Sequence, residues 1–328
     1  MVADARPRWG IAHVEAVERP ASDVVLLRLR GGHLAAGAPG SHIDVRLPLD
    51  GGDAVRSYSV VRSGRGHVDV AVRLAPASRG GSRAMHALSA GDQLTTTQPL
   101  QGFALGASAS TYVLVAGGIG ITAILPMARI LVGAGRDVTL LYAGTERSRM
   151  PFLDELEGLL GPRLDVRASS EGRRIDPGEP ARIALGSSEP QRAEAYVCGP
   201  VPLLDDVRRA WTGSGLLPSS LRFETFAGGS GSGGSFAVSL PSLGVDAVVG
   251  SEETMLDALV RAGVPVLYDC RRGECGLCVL SVEDVDGDVD HQDVFLSDAE
   301  RASGSICACV SRVTAASGAR PRITLALR

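Results

Sequence analysis

Five of the six cysteines in this 328-residue chain fall between positions 270 and 309, as Cys270, Cys275, Cys278, Cys307 and Cys309. The sixth is Cys198, and none lies earlier. Clustered thiols in a reducing compartment point to metal rather than to disulfides. The spacing Cys270-x4-Cys275-x2-Cys278 with a distant fourth Cys is that of a plant-type [2Fe–2S] centre. Thiolates are soft ligands that suit iron and sulfide, and two irons need four of them. Zinc is the competing use, but zinc pairs come as two close Cys-x2–4-Cys units, and here there is one. The intervening Arg271-Arg272-Gly273-Glu274-Cys275-Gly276-Leu277 is glycine-rich. A loop that wraps a cluster needs positive φ and N–H groups turned toward sulfur. Spacing leaves the fourth ligand open between Cys307 and Cys309.

Two other constellations carry chemistry. Arg56-Ser57-Tyr58-Ser59 opens a strand-like run. It offers a ring to stack on a flavin, a hydroxyl for the flavin N5 region and a cation for a phosphate. Arg79-Gly80-Gly81-Ser82 downstream is a candidate phosphate nest. Gly117-Gly118-Ile119-Gly120-Ile121-Thr122 follows a strand and opens a helix, the setting in which a pyrophosphate meets a helix N-terminus. It is not the G-x-G-x-x-G fingerprint. Pro126 lies close to the start of that helix and predicts an altered first turn. Cys198-Gly199-Pro200 follows a later strand.

These residues need scaffolds, and the chain divides accordingly. Residues 1–108 hold alternating apolar runs such as Ile43-Asp44-Val45-Arg46-Leu47, broken by Gly, Pro and Asp, which predicts an antiparallel β-barrel. Residues 109–227 alternate strands (112–116, 138–142, 164–168, 195–198) with helices (to about 132, 151–160, 205–211), which predicts a parallel α/β sheet. Residues 228–235 read as a flexible Gly/Ser linker to a third module at 236–328. That module carries 14 acids against 8 Arg, whereas the rest carries 23 acids against 25 Arg. The acids at 283–293 suggest a docking face for a basic partner.

Composition excludes several functions. All 33 basic residues are Arg, so lysine Schiff-base chemistry and a Walker-A loop are absent. A net charge of −4 gives no basic field for nucleic acid. No apolar run is long enough for a membrane span, and the N-terminus does not read as a signal peptide, so a cytoplasmic location is expected. The six His are scattered, and His291 beside Asp290 and Asp293 reads as a loop hydrogen-bonder.

Asp269 to Cys278, together with Cys309-Val310-Ser311-Arg312, resembles the ferredoxin domain of the phthalate dioxygenase reductase family. The Arg56–Ser59 and Arg79–Ser82 segments resemble that family's flavin domain, in the same order and distance. Gly117–Thr122 and Cys198–Pro200 are similar to the nicotinamide domain of the ferredoxin–NADP reductase superfamily, although that superfamily continues with Pro where Ala123 stands. The resemblance implies Cys270, Cys275, Cys278 and Cys309 as cluster ligands. It implies FMN, with FAD as the alternative, held by Arg56, Tyr58, Ser59, Arg73, Gly80, Gly81 and Ser82, with Phe226 over the ring. It implies a nicotinamide coenzyme at Gly117, Gly118, Gly120, Thr122, Cys198, Gly199 and Pro200, with Thr122, Cys198 and Ser59 nearest the reacting atoms. Coenzyme choice turns on Glu146 and Arg147 after the second strand, the first favouring a free ribose and the second a 2′-phosphate. The resemblance favours NADH over NADPH.

The implied fold is multi-domain: barrel, α/β sheet and a β-grasp ferredoxin domain. The implied activity is a reductase passing electrons from NADH through FMN and [2Fe–2S] to a terminal oxygenase, either a Rieske-type aromatic oxygenase or demethylase or a cytochrome P450. A hydride brings two electrons and a [2Fe–2S] centre takes one, so a flavin between them is chemically required. A redox-sensing ferredoxin module is the non-enzymatic alternative.

Overall fold

The β2 segment Val24–Arg30 shows why the first part of the chain folds as it does. Its apolar run is continuous because both faces are covered. Val25, Leu27 and Leu29 point into one core, while Val24 and Leu26 pack with the apolar face of a helix in a second core. The computed structural model describes residues 7–49, 52–76, 80–226, 234–251, 253–315 and 320–327. It separates into two units, Met1–Glu224 and Thr225–Arg328.

In the first unit, β1 (Trp9–Ala21), β2, β3 (Ser41–Leu49), β4 (Gly52–Gly64), β5 (His67–Arg73) and β6 (Gln93–Thr97) run in the order β4-β5-β2-β1-β6-β3. A β3–β4 pairing closes the ring into an antiparallel barrel, with the short β7 (Leu100–Gln101) added to β3. Closure removes the unpaired edges an open sheet would leave. One helix, α1 (Gly81–Ala87), interrupts the strands and buries Met85. It had no sequence signal beyond the glycine pair at its start.

The same unit carries β8 (Thr111–Gly117), β9 (Asp137–Gly144), β10 (Leu164–Ala168), β11 (Ala193–Gly199) and β12 (Leu221–Thr225), in the order β10-β9-β8-β11-β12. The β10–β9, β9–β8 and β8–β11 pairs are parallel, so the carboxyl ends of these four strands share one edge. Strand order reverses between β8 and β11, the place where ligands enter such sheets. The helices are α2 (Ile121–Gly133), α3 (Leu153–Leu160), α4 (Glu179–Leu185) and α5 (Val201–Gly213). Two boundaries differ from expectation. Helix α3 begins at Leu153 because Phe152 takes a left-handed φ of 67° and breaks the run from Pro151. Helix α5 begins at Val201, straight after Pro200, rather than near Asp205.

The second unit holds β13 (Phe236–Leu240), β14 (Val245–Val249), β15 (Val279–Asp286), β16 (Asp288–Asp290), β17 (Ser305–Cys307), β18 (Arg312–Thr314) and β19 (Arg322–Ala326), with α6 (Met255–Arg261) and α7 (Asp298–Ala302). Its main sheet runs β14-β13-β19-β15-β17, and β16 pairs with β18. Arg312 is 1 % exposed. Its guanidinium donates to the carbonyls of Glu253, Gly250 and Gly234 at 2.7, 2.9 and 3.2 Å. The expected acidic face is only partly a face: Glu283, Asp284, Asp286 and Asp288 are exposed, but Asp293 is buried. Asp293 accepts from the Leu296 N–H at 2.8 Å and pairs with Arg301 at 3.4 Å, so it is structural. Residues 228–233 of the expected linker, and Arg79, lie outside the described residues. Among the described residues no helix is long and apolar enough to cross a membrane.

Candidate redox and nucleotide sites

The cysteine loop is built as its chemistry requires. Gly273 and Gly276 both take φ 74°, and Arg271 takes φ 53°. Backbone N–H groups of Arg272 and Glu274 both reach Cys270 Sγ at 3.4 Å. A methyl on Gly276 would lie 2.2 Å from the Phe295 ring, and one on Gly273 would lie 2.8 Å from the Asp293 backbone, so the loop is pressed onto 293–295. Cys309 interacts electrostatically with both Cys270 and Cys278. Cys307, paired across the strands with Val279, reaches Cys278. These interactions lower the Cys270 thiol, chiefly through Cys309, and the Cys278 thiol, chiefly through Cys307 and Cys309. Cys309 and Cys307 move up in return, and burial pushes Cys275 up. A group of soft, partly ionised sulfurs served by loop N–H donors fits an iron–sulfur cluster.

On the barrel, Arg56 and Gly81 come together, as a methyl on Gly81 would lie 3.1 Å from Arg56 Cγ. Gly80, at φ 84°, turns the chain into α1, and Ser82 Oγ accepts from the Ala75 N–H at 3.1 Å. Tyr58 packs against the barrel core, and burial raises its phenol well above the usual range. Next to it, Ser59 is 5 % exposed and its Oγ meets no partner among the described residues. A buried hydroxyl with no partner is costly unless a ligand completes it. The donor set therefore fits a flavin: a ring, an unspent hydroxyl, and a guanidinium beside a glycine turn.

The glycine loop after β8 packs closely on the loop after β11. A methyl on Gly120 would sit 2.2 Å from the Cys198 carbonyl oxygen, and one on Gly117 would sit 2.6 Å from Pro200 Cδ. These two glycines let the β8 and β11 loops close on each other. Only Gly118, at φ 56°, has the long end of a side chain as its neighbour, with Arg73 Nη1 3.2 Å from the methyl position. Thr122 is buried, and its hydroxyl donates to the Ile119 carbonyl at 2.9 Å, which fixes the turn. Cys198 is fully buried at the end of β11 and is not in a disulfide. Pro126 sits inside α2, one turn beyond the short 3₁₀ segment Gly118–Gly120 that starts the helix. Phe226 is 39 % exposed at the opening of the second unit.

Residues 241–314 match the 2Fe-2S iron-sulfur cluster binding domain family. The heme-dependent oxidative N-demethylase beta subunit of Ectopseudomonas mendocina is 38 % identical over 83 % of this chain and 85 % of its own. The phenoxybenzoate dioxygenase subunit beta of Ectopseudomonas oleovorans is 37 % identical over 89 % of this chain and 90 % of its own. Among solved structures, phthalate dioxygenase reductase, a modular structure for electron transfer from pyridine nucleotides to [2Fe–2S], superposes with a TM-score of 0.74. It is 27 % identical and covers 97 % of this chain and 98 % of its own. The chain belongs to the phthalate dioxygenase reductase family. Barrel, parallel sheet and iron–sulfur domain are the parts of that family's fold, and the chain is an oxidoreductase with an electron-transfer role.

Two sets of residues carry weight that sequence reasoning did not give them. Arg312 entered only as the last of the four residues Cys309-Val310-Ser311-Arg312, and its use as a buried staple has no local signal. Glu157 and Glu171 lie ten and twenty-four positions from Arg147 yet both face it. Only the fold brings them there.

Proposed function

We propose that this chain is the NADH-dependent reductase component of an oxygenase system, carrying electrons from nicotinamide through FMN to a [2Fe–2S] centre and on to a terminal oxygenase. Residues 1–108 serve the flavin, 109–227 the nicotinamide nucleotide and 236–328 the cluster. The observation that carries this reading is the cysteine loop, in which Gly273 and Gly276 turn the chain at positive φ and the Arg272 and Glu274 N–H groups both serve Cys270.

When bound, the flavin takes two electrons as a hydride and releases them singly, and the cluster carries one at a time. The protein's own contribution is positional. Arg56, with the Gly80–Gly81 turn and Ser82, would grip the flavin phosphate by charge-assisted bonds. Ser59 would spend its free hydroxyl on the flavin ring, and Tyr58 would lie against it. The floor of Gly117, Gly120, Cys198, Gly199 and Pro200, with Thr122 locking its turn and Gly118 beside Arg73, would receive the nucleotide at the switch point of the sheet. Cys270, Cys275, Cys278 and Cys309 would hold the irons.

Named relatives serve a dioxygenase and an N-demethylase, which supports a terminal oxygenase as the acceptor. A cytochrome P450 is the second reading. A type IV self-sufficient P450 monooxygenase contains a region 35 % identical to this chain, covering 97 % of it and 41 % of that protein, with a TM-score of 0.63. The site of action is the cytoplasm, where NADH and reduced thiols are found.

One experiment tests the reading. The visible spectrum of the purified protein, with cofactor extraction and anaerobic titration by NADH and then NADPH, should show FMN and two irons per chain, both reduced by NADH. Protein without flavin, or with zinc in place of iron, removes it. A Cys309→Ser chain should lose the cluster bands and a Cys307→Ser chain should keep them; the reverse result moves the fourth ligand to Cys307.

A further inference from the structure

The loops after β9 and β10 form a ledge at the carboxyl edge of the parallel sheet, beside the glycine loop after β8. The Ser170 N–H donates to the Thr145 carbonyl at 2.9 Å, which ties the two loops together. In sheets of this kind the residue at the end of the strand after the glycine loop decides between a free ribose 2′-OH and a 2′-phosphate. Here that segment is Thr145-Glu146-Arg147-Ser148-Arg149. By sequence it holds two cations that could receive a phosphate.

The structure commits both elsewhere. Arg149 is bound through two nitrogens to Asp23 of the β1–β2 turn, at 2.6 and 2.9 Å. Arg147 Nε lies 3.1 Å from Glu171 Oε1, and its Nη1 lies 3.9 Å from Glu157 Oε1. Glu146 is exposed on the same loop. The ledge therefore presents Glu146, Glu157 and Glu171 around Arg147, with Arg149 taken by Asp23, Arg173 by Asp165, and Arg174 exposed on the same loop as the second cation. A 2′-phosphate placed there would meet more anionic than cationic charge, while a ribose hydroxyl has a carboxylate to donate to.

We infer that Glu171 and Glu157 are positioning residues for coenzyme choice: they hold and neutralise Arg147, and so make the site reject a 2′-phosphorylated nucleotide while leaving Glu146 for the ribose. The assignment rests on the nucleotide reading above and deepens it, because it names the side chains that would select NADH. It also accounts for an arginine at a position that by type alone favours NADPH.

The test uses the full-length holoprotein and two ligands without a nicotinamide ring, ADP-ribose and 2′-phospho-ADP-ribose, measured by calorimetry at fixed ionic strength. Wild type should bind ADP-ribose the more tightly. Glu171→Gln keeps an acceptor for Arg147 but removes charge, and should improve 2′-phospho-ADP-ribose binding about five-fold, the most an exposed pair of this kind holds back. ADP-ribose should change less than about two-fold by the same reasoning. The Glu157→Gln/Glu171→Gln chain should gain more, the gain should shrink as salt rises, and adding Arg147→Ala should abolish it. If both ligands bind but the preference does not move in the double variant, or if the gain survives Arg147→Ala, the assignment is overturned and the nucleotide site stands. If wild type binds neither ligand, the nucleotide reading falls and takes the assignment with it.

Discussion

Replacing Ser59 by Ala should move two properties in opposite directions. The Ser59 hydroxyl is buried, 5 % exposed, and has no partner among the described residues. An unsatisfied buried hydroxyl costs about 1–3 kcal/mol. Alanine removes the oxygen and keeps the Cβ, so the empty protein should gain a good part of that amount. At about 2–4 °C per kcal/mol for a unit of this size, the flavin-free melting temperature should rise by several degrees. With flavin bound, the same change deletes one hydrogen bond worth about 0.5–1.5 kcal/mol net, and more if the accepting atom is then left dry. FMN should bind about two- to twelve-fold more weakly by that range. Fluorimetric titration of deflavinated protein gives the second number, and a thermal melt of the same sample gives the first. A Ser59→Ala protein that melts lower when empty yet binds FMN as before would falsify the view that this hydroxyl is held in reserve for the flavin.

Other outcomes follow from the same structure. Arg312→Met removes the donor to the Glu253, Gly250 and Gly234 carbonyls, so the second unit should lose at least about 3 kcal/mol and its iron content should fall; calorimetry with iron analysis reads both. Gly120→Ala, whose methyl would lie 2.2 Å from the Cys198 oxygen, should cost about 1–3 kcal/mol or more and abolish ADP-ribose binding. Gly118→Ala should cost only about the 1–2 kcal/mol of a left-handed alanine, and equal penalties in the two chains would contradict the packing described. The Arg167 hydrogen bond, with Arg173 and against partial burial, holds the Asp165 carboxyl below its usual value. A lowered folded value means its contribution is complete above the ordinary carboxyl range near pH 4 and is lost as pH falls through the folded value. Asp165→Asn should therefore lower stability at neutral pH and flatten the acid limb of a plot of Tm against pH; an unchanged acid limb would deny Asp165 that part.

Much of the site was legible because its chemistry is local. The Cys270–Cys278 spacing, the glycines with positive φ and the sulfur-directed N–H groups all lie within one short loop, and a loop can be read from its own residues. The barrel showed itself through alternation in β3, and the parallel sheet through the rhythm of β8 to β11. What stayed hidden depends on distant pairs. The shared burial of β2, with alternate residues in two different cores, looks in sequence like a plain apolar run. The start of α3 is set by the left-handed Phe152, which no propensity favours. Asp293 sits in an acidic stretch and reads as surface, yet Arg301 and the Leu296 N–H take it inside. The glycines of the β8 loop read as a seat for a ligand, but the close packing of Gly117 and Gly120 on the neighbouring loop has no local signal.

That last contact constrains how this molecule can change. Gly117 and Gly120 meet Cys198 to Pro200 with no room for one added carbon, so the contact between these two loops tolerates almost no substitution. Variation that survives, in nature or in a mutant library, will collect in the outward side chains of the β9 and β10 loops. With the nucleotide seated as proposed, coenzyme preference should therefore be quick to retune while its seat stays fixed.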